Sequence, residues 1–321
     1  MKVAVTGAGG FIGGHLVRRL IDEGHRVWAY DIKPKKQWYQ VHKAYNCDMI
    51  NVGEPNHYDF RDMDEVYQLA ADMGGMGFIE NNKAKCMLSV LASTNTLIAA
   101  QAASVGRFFY SSSACVYAAD RQTDTHQEPL REEDAYPAMP EDGYGWEKLF
   151  SERMCQHFYE DFGLETRVAR YHNIYGPQGT FVGGREKAPA ALCRKIAIAK
   201  MTGKNEIEIW GDGKQTRTFT YIDDCIDGTI LLTRSDVHQP LNIGSSELVS
   251  INQLAGIIVD IAGIGDFAFN HIDGALGVRG RSSDNTLIRK ELDWEPSTTL
   301  WDGLEKTYAW VYDQVSKGHY E

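Results

Sequence analysis

The chain has 321 residues, 43% of them apolar and 24% charged, with 44 acidic against 33 basic side chains and a net charge of −11. This composition excludes a disordered chain and fits two domains or one large α/β unit. The acidic balance argues against nucleic acid as the main partner, which needs a basic face, and no run of eighteen apolar residues is present to cross a membrane.

The first element is a short apolar strand ending at Thr6, followed by Gly7-Ala8-Gly9-Gly10-Phe11-Ile12-Gly13 and a helical pattern of Leu16, Val17, Leu20 and Ile21. Glycines where a strand turns into a helix make a pyrophosphate cradle. Gly7 permits the turn, Gly10 lets the main chain approach the phosphates, and Gly13 lets the helix pack closely on the strand. A second strand, 26–30, ends beside Asp31, eighteen residues past Gly13. A carboxylate there accepts hydrogen bonds from a ribose and repels a 2′-phosphate, so NAD is expected rather than NADP despite Lys33, Lys35 and Lys36. The chain opens directly into strand, without a charged-then-apolar leader, which points to the cytoplasm.

Strands are then expected at 65–71, 107–113 and 165–175, alternating with helices at 84–104 and 144–162. Such alternation calls for a doubly wound parallel sheet of Rossmann type. Segments 32–58 and 118–143 lack periodicity and are read as long functional loops. From Gly176 the pattern loosens into a helix at 188–199, a strand at 207–210 and a turn at Gly211-Asp212-Gly213. Residues 1–176 are therefore assigned to an NAD-binding domain, with pieces near 219–244 returning to it. Residues 177–321 mainly form a smaller mixed α/β substrate domain. The six cysteines include no Cys-x-x-Cys pair or Cys/His grouping, so no metal is expected. Leu149, Met154 and Phe158 read as core or dimer seam.

Tyr144 and Lys148 lie four apart, on one face of a helix. An ammonium there would lower the phenol's pKa toward neutrality and make Tyr144 a general base. The strand that ends at Ser111-Ser112-Ser113 would bring a hydroxyl to the same sheet edge, where ligands of open α/β sheets bind. Cys115, two residues beyond Ser113, alternates to the same side, and a thiol beside a cation would titrate near the working pH.

With these motifs, and with RYHNIYGP (170–177), WGDGKQTRTFTYIDD (210–224) and NIGS (242–245), the chain resembles the extended short-chain dehydrogenase/reductase family over essentially its whole length. AADMGGMGFI (70–79), SSACVY (112–117), GGREKAPAA (183–191) and GVRGRSSDN (277–285) are similar to a branch of that family that epimerises GDP-mannose at carbons 3 and 5. The resemblance implies resident NAD, bound by Gly7, Gly10, Phe11, Ile12, Gly13, Asp31, Asp59, Phe60, Tyr144 and Lys148. It implies transient oxidation at carbon 4 by Tyr144 with Ser113 and Lys148, and proton exchange at carbons 3 and 5 by Cys115 and Lys187. The nucleotide sugar would be held by Met73, Gly74, Gly75, Ser113, Asn173, Lys187, Arg217, Arg279 and Arg281, the arginines clamping its diphosphate. A homodimer is implied as well. A 4-epimerase, a dehydratase and a non-catalytic NAD-binding scaffold remain as alternatives; a dehydratase would need an acid/base carboxylate pair after Ser113, where this chain has Ala114-Cys115.

Overall fold

The structure, a computed structural model, describes residues 1–38, the main chain of 47–51, and 60–320. In chain order the first part comprises β1 (Lys2–Thr6), α1 (Phe11–Asp22), β2 (Arg26–Asp31), β3 (Cys47–Asn51), β4 (Glu65–Gln68), α2 (Met76–Asn81), α3 (Lys83–Ala102), β5 (Arg107–Ser113), α4 (Asp142–Phe162) and β6 (Thr166–Tyr171). Then follow β7 (Ile174–Tyr175), α5 (Ala188–Thr202), β8 (Glu206–Trp210), β9 (Thr216–Thr218), β10 (Thr220–Tyr221), α6 (Ile222–Thr233) and β11 (Leu241–Ile243). The last part is β12 (Leu248–Ser250), α7 (Ile251–Ala262), β13 (Ala268–Ile272), β14 (Gly280–Arg281), α8 (Thr286–Leu292) and α9 (Leu300–Ser316).

Seven strands form one sheet in the order β11-β6-β5-β4-β1-β2-β3, every neighbouring pair parallel. Strand order reverses between β1 and β4, so the crevice beyond their carboxyl ends is a topological switch point, where ligands of such sheets bind. Its strands are buried almost throughout, the mark of a parallel sheet covered on both faces. A three-stranded sheet, β12-β9-β14, and the pairs β10-β7 and β13-β8 lie in the second half. One apolar cluster runs from Val3 and Leu16 through Phe109 and Tyr171 to Leu192, Leu254 and Leu304, so a continuous core joins the sheet to α5, α7 and α9.

Two sequence expectations are corrected. Segment 32–58 contains a strand, β3, which pairs with β2 over five residues although Cys-Asp-Met-Ile-Asn carries little strand propensity. The expected strand 165–175 is broken at His172–Asn173, where Asn173 takes a left-handed φ of 47°, and β7 turns away to pair with β10. Leu149 is buried, and Met154 and Phe158 pack against the cluster around Tyr30 and Tyr110, so the core half of their reading is the one seen.

Behind β5 lies a buried ion pair. Arg170 on β6 donates from Nη2 to Glu152 Oε2 at 2.7 Å and from Nε to Oε1 at 3.0 Å, while Ser112 donates to the same carboxylate at 2.5 Å. Glu152→Ala would strand a buried guanidinium, and we expect a loss of about 3–5 kcal/mol, measured by urea unfolding. A loss below about 1 kcal/mol, the level of an exposed pair, would show that Arg170 finds another partner.

Candidate active site

β1 delivers the glycine turn to the switch point. Gly7 adopts φ 72°, and a Cβ on Gly13 would overlap the Gly7 carbonyl oxygen, so helix and turn pack as closely as two glycines allow. No side chain caps the start of α1, so the N–H groups of Phe11 and Ile12 face outward with the helix dipole behind them. Asp31 accepts the N–H of Gly9 at 2.8 Å and of Lys33 at 2.8 Å, which ties the end of β2 to the turn and leaves lone pairs on both oxygens. This cradle fits a dinucleotide: an anion-binding helix start with a carboxylate one strand away. Trp38, unmarked in the sequence reading, covers Gly9 and donates from its ring nitrogen to the Lys33 carbonyl. Asp59 lies outside the described residues. The Phe60 ring is buried against Tyr30.

β5 and α4 carry the residues expected to react. Ser113 ends β5, accepts the Cys115 N–H at 3.2 Å, and its hydroxyl reaches the Tyr144 phenol. Tyr144 packs with Cys115, Cys86 and Ile79, beside Met73. Lys148 is buried; its Nζ donates to the Ser111 carbonyl at 3.0 Å and sits 3.6 Å from Glu147 Oε2. The expected acid shift of Tyr144 is overturned. Burial pushes the phenol well above its ordinary value, and the charges of Cys115 and Glu147 add to that, against the bond from Ser113. Lys148 stands 5.6 Å from the ring with a carboxylate already beside it.

Cys115 also differs from expectation. Its cation is Arg281, which donates from Nη1 to Sγ at 3.5 Å, and burial still pushes the thiol up. Lys187, the residue before α5, has its amine pulled down by burial and is near enough to Cys115 for the two charges to interact.

Lys187 stands at the end of a strap, residues 183–187, held by the GGMGF loop. Arg185 pairs with Asp72, donates to the Met73 carbonyl at 3.2 Å, and lies 3.8 Å over the Phe78 ring. Gly75 N–H donates to the Arg185 carbonyl at 3.0 Å, and a Cβ on Gly75 would overlap the Glu186 carbonyl. Gly75 is thus glycine because the strap lies on it. A Cβ on Gly74 would crowd Phe78.

The three arginines expected at a diphosphate do different things. Arg279 forms a bidentate pair with Asp212 at 2.8 and 2.7 Å. Arg281 is committed to Glu141, Gln122 and Cys115. Arg217 donates to the carbonyls of Thr216, Leu276 and Val278 and has no carboxylate in hydrogen-bond contact among the described residues; burial, then Arg281, pulls it down to about 10. Asn173 donates to the Thr218 carbonyl at 2.9 Å. Glu141, Gln122, Glu147 and Arg185 escaped the sequence reading; only Glu147, within the Tyr–Lys spacing, had a local signal. No group of three potential ligands that could hold a metal, and no helix long and apolar enough to cross a membrane, occurs among the described residues.

The model of the NAD dependent epimerase/dehydratase family matches residues 3–244. "GDP-mannose 3,5-epimerase 1" of Oryza sativa subsp. indica is 47% identical over 320 residues, covering 99% of this chain and 83% of that protein. "GDP-mannose 3,5-epimerase" of Arabidopsis thaliana is 45% identical over 329 residues, covering 99% and 84%. Among solved structures, UDP-glucuronic acid 4-epimerase from Bacillus cereus, in complex with UDP-glucuronic acid and NAD, superposes with a TM-score of 0.82 at 26% identity, covering 98% of this chain and 99% of that one.

Because Gly75 bears the strap, Gly75→Ala should lift it. Tryptic cleavage after Arg185 is expected to accelerate about tenfold, the effect of roughly 1.4 kcal/mol less closed-state stability. Digestion followed by mass spectrometry reads it, and an unchanged rate would show the strap is held elsewhere.

Proposed function

The chain belongs to the NAD dependent epimerase/dehydratase family, and from that premise we propose that it is an NAD-dependent isomerase, converting GDP-mannose to GDP-L-galactose, and to GDP-L-gulose by single inversion. The observation that carries the reading is a thiol, Cys115, packed against Tyr144, with the amine of Lys187 near enough to feel its charge. A simple 4-epimerase needs neither group.

In this reading residues 1–176, with pieces near 219–244, hold NAD, and 177–321 mainly hold the sugar nucleotide. When bound, NAD takes a hydride from carbon 4 and later returns it. Tyr144 accepts the proton of the carbon-4 hydroxyl as its phenolate, a form that the positive charge of bound NAD would favour against burial, with Ser113 bonded to both oxygens and Lys148 fixing the end of β5. The resulting ketone acidifies the hydrogens on carbons 3 and 5. Cys115 and Lys187, on opposite ring faces, remove and supply those protons, so each centre inverts. Buried Arg217 offers positive charge to the diphosphate. Arg279 and Arg281 shape the pocket through Asp212 and Glu141.

We further place the protein in the cytoplasm as a homodimer. Met87, Leu88 and Leu91 on α3 and Trp146 and Phe150 on α4 are exposed at helical spacing on two packed helices. Such an apolar face is the kind that a second copy covers.

Tyr144→Phe should retain NAD and lower turnover of GDP-mannose by about 10²- to 10⁴-fold, the usual share of a general base. Normal turnover would remove the tyrosine from the mechanism.

Cys115→Ala and Lys187→Ala separate oxidation from epimerisation. In deuterated water the native enzyme should place deuterium at carbon 5, and at carbon 3 on double inversion, whereas each variant should return GDP-mannose nearly unlabelled while still exchanging hydride at carbon 4. NMR of the recovered sugar nucleotide reads both. Full labelling by both variants would defeat the assignment.

A further inference from the structure

Arg281 reaches the thiol only because something holds it there. The guanidinium is 4% exposed and spends each nitrogen on a different partner: Nε on Gln122 Oε1 at 2.6 Å, Nη2 on Glu141 Oε2 at 2.6 Å, and Nη1 on Cys115 Sγ at 3.5 Å. Glu141 is the residue immediately before α4, three before Tyr144, and its own N–H donates to the Cys115 carbonyl at 3.0 Å. One residue therefore grips both the main chain of Cys115 and the cation above its sulfur.

We propose that Glu141 is a positioning residue for the proton transfers at Cys115: its carboxylate holds the Arg281 guanidinium against the thiol and answers its charge. The proposal rests on the reading of Cys115 as a proton-transfer group. Two features separate this pair from a structural ion pair. Arg281 gives its third nitrogen to the thiol, at an ordinary length for an N–H donor to sulfur, and the sulfur belongs to the same cluster as Tyr144. Burial pushes Glu141 up, but Arg281, Arg217 and the thiol overcome it and hold the carboxyl below its ordinary value, so the carboxylate is charged where it meets the guanidinium.

The charge consequence has a definite sign. Cys115 is faced by Arg281 from β14, Glu141 and Tyr144 from the start of α4, Lys187 from the start of α5, Arg217 from β9, and the Ser113 hydroxyl from its own turn; Cys86 on α3 completes the cluster. Arg281 favours the thiolate and Glu141 opposes it. Removing the carboxylate's charge while keeping its shape leaves the guanidinium unanswered, and thiolate forms at lower pH.

The experiment is the pH dependence of Cys115 alkylation by iodoacetamide, read by mass spectrometry of its peptide in the NAD-loaded protein without nucleotide sugar. Glu141→Gln, which keeps an acceptor for Arg281, should move the alkylation midpoint down by about one pH unit or more. Glu141→Asp, which keeps the charge on a shorter arm, should leave the midpoint near that of the native protein. Deuterium labelling at carbon 5 should shift to lower pH with Glu141→Gln and fall about tenfold at every pH with Glu141→Asp, as misplaced catalytic groups do. Midpoints that stay put in both variants, or move alike in both, would overturn the proposal. If Glu141→Gln does not fold, Glu141→Ala, which also lacks the charge, takes its place under the same criteria. Alkylation needs no sugar, so a native protein that fails to label GDP-mannose removes the epimerase reading while the midpoints still judge Glu141.

Discussion

The seating of α4 on the carboxyl end of β5 is the contact on which the site depends. Glu141 N–H bonds the Cys115 carbonyl, and Lys148, nearly two turns further along the helix, bonds the Ser111 carbonyl. Two bonds at different heights fix both the position of the helix start and its rotation. A helix rotated by one residue would turn about 100° and carry Tyr144 out of the cluster with Cys115. Ser113, Cys115, Tyr144 and Lys148 thus share one rigid frame, although strand and helix are separated by 28 residues of irregular chain. Behind that frame, Ser112 bonds Glu152 and Glu152 holds Arg170, so the same interface is tied to β6 as well.

An acidic protein that handles a dianionic diphosphate must keep some positive charge uncompensated at one place. Most described cations near the crevice are already answered: Lys148 by Glu147, Arg281 by Glu141, Arg185 by Asp72 and Arg279 by Asp212. Among the described residues Arg217 bonds only carbonyls and Lys187 has no ion pair. Burial disfavours an unanswered cation, which is why Arg217 and Lys187 are both pulled down. That unfavourable state is relieved when an anionic ligand arrives, and the relief adds to binding.

What could be read from the sequence is what is local. The glycine turn, Asp31, the Tyr144/Lys148 spacing and the strand ending at Ser113 each depend on residues within a few positions of one another, and each stands where the pattern put it. β3 escaped because its pairing with β2 is tertiary and its residues give no period. Glu141 and Arg281 are 140 residues apart, and no spacing rule joins an acidic residue before a helix to an arginine in a two-residue strand. The acid shift of Tyr144 failed for a related reason: a four-residue spacing reports that Lys148 is near but not that Glu147 stands beside it or that burial dominates. The resemblance marked Gly75, yet the reason it is glycine, the Glu186 carbonyl, lies 111 residues away.

Burial gives Tyr144, Cys115 and Lys187 a common character. Tyr144 and Cys115 are pushed toward their neutral acids, and Lys187 toward its neutral base, by the same desolvation. A site of this kind stores no strong base at rest. Its proton transfers are uphill until a group that stabilises charge is in place, so the ketone at carbon 4 must form before protons at carbons 3 and 5 become accessible to a buried thiol or amine. The order of events then follows from electrostatics. Oxidation would create the acidity that the pocket's own groups lack, so Cys115 and Lys187 would find exchangeable protons only on an oxidised sugar.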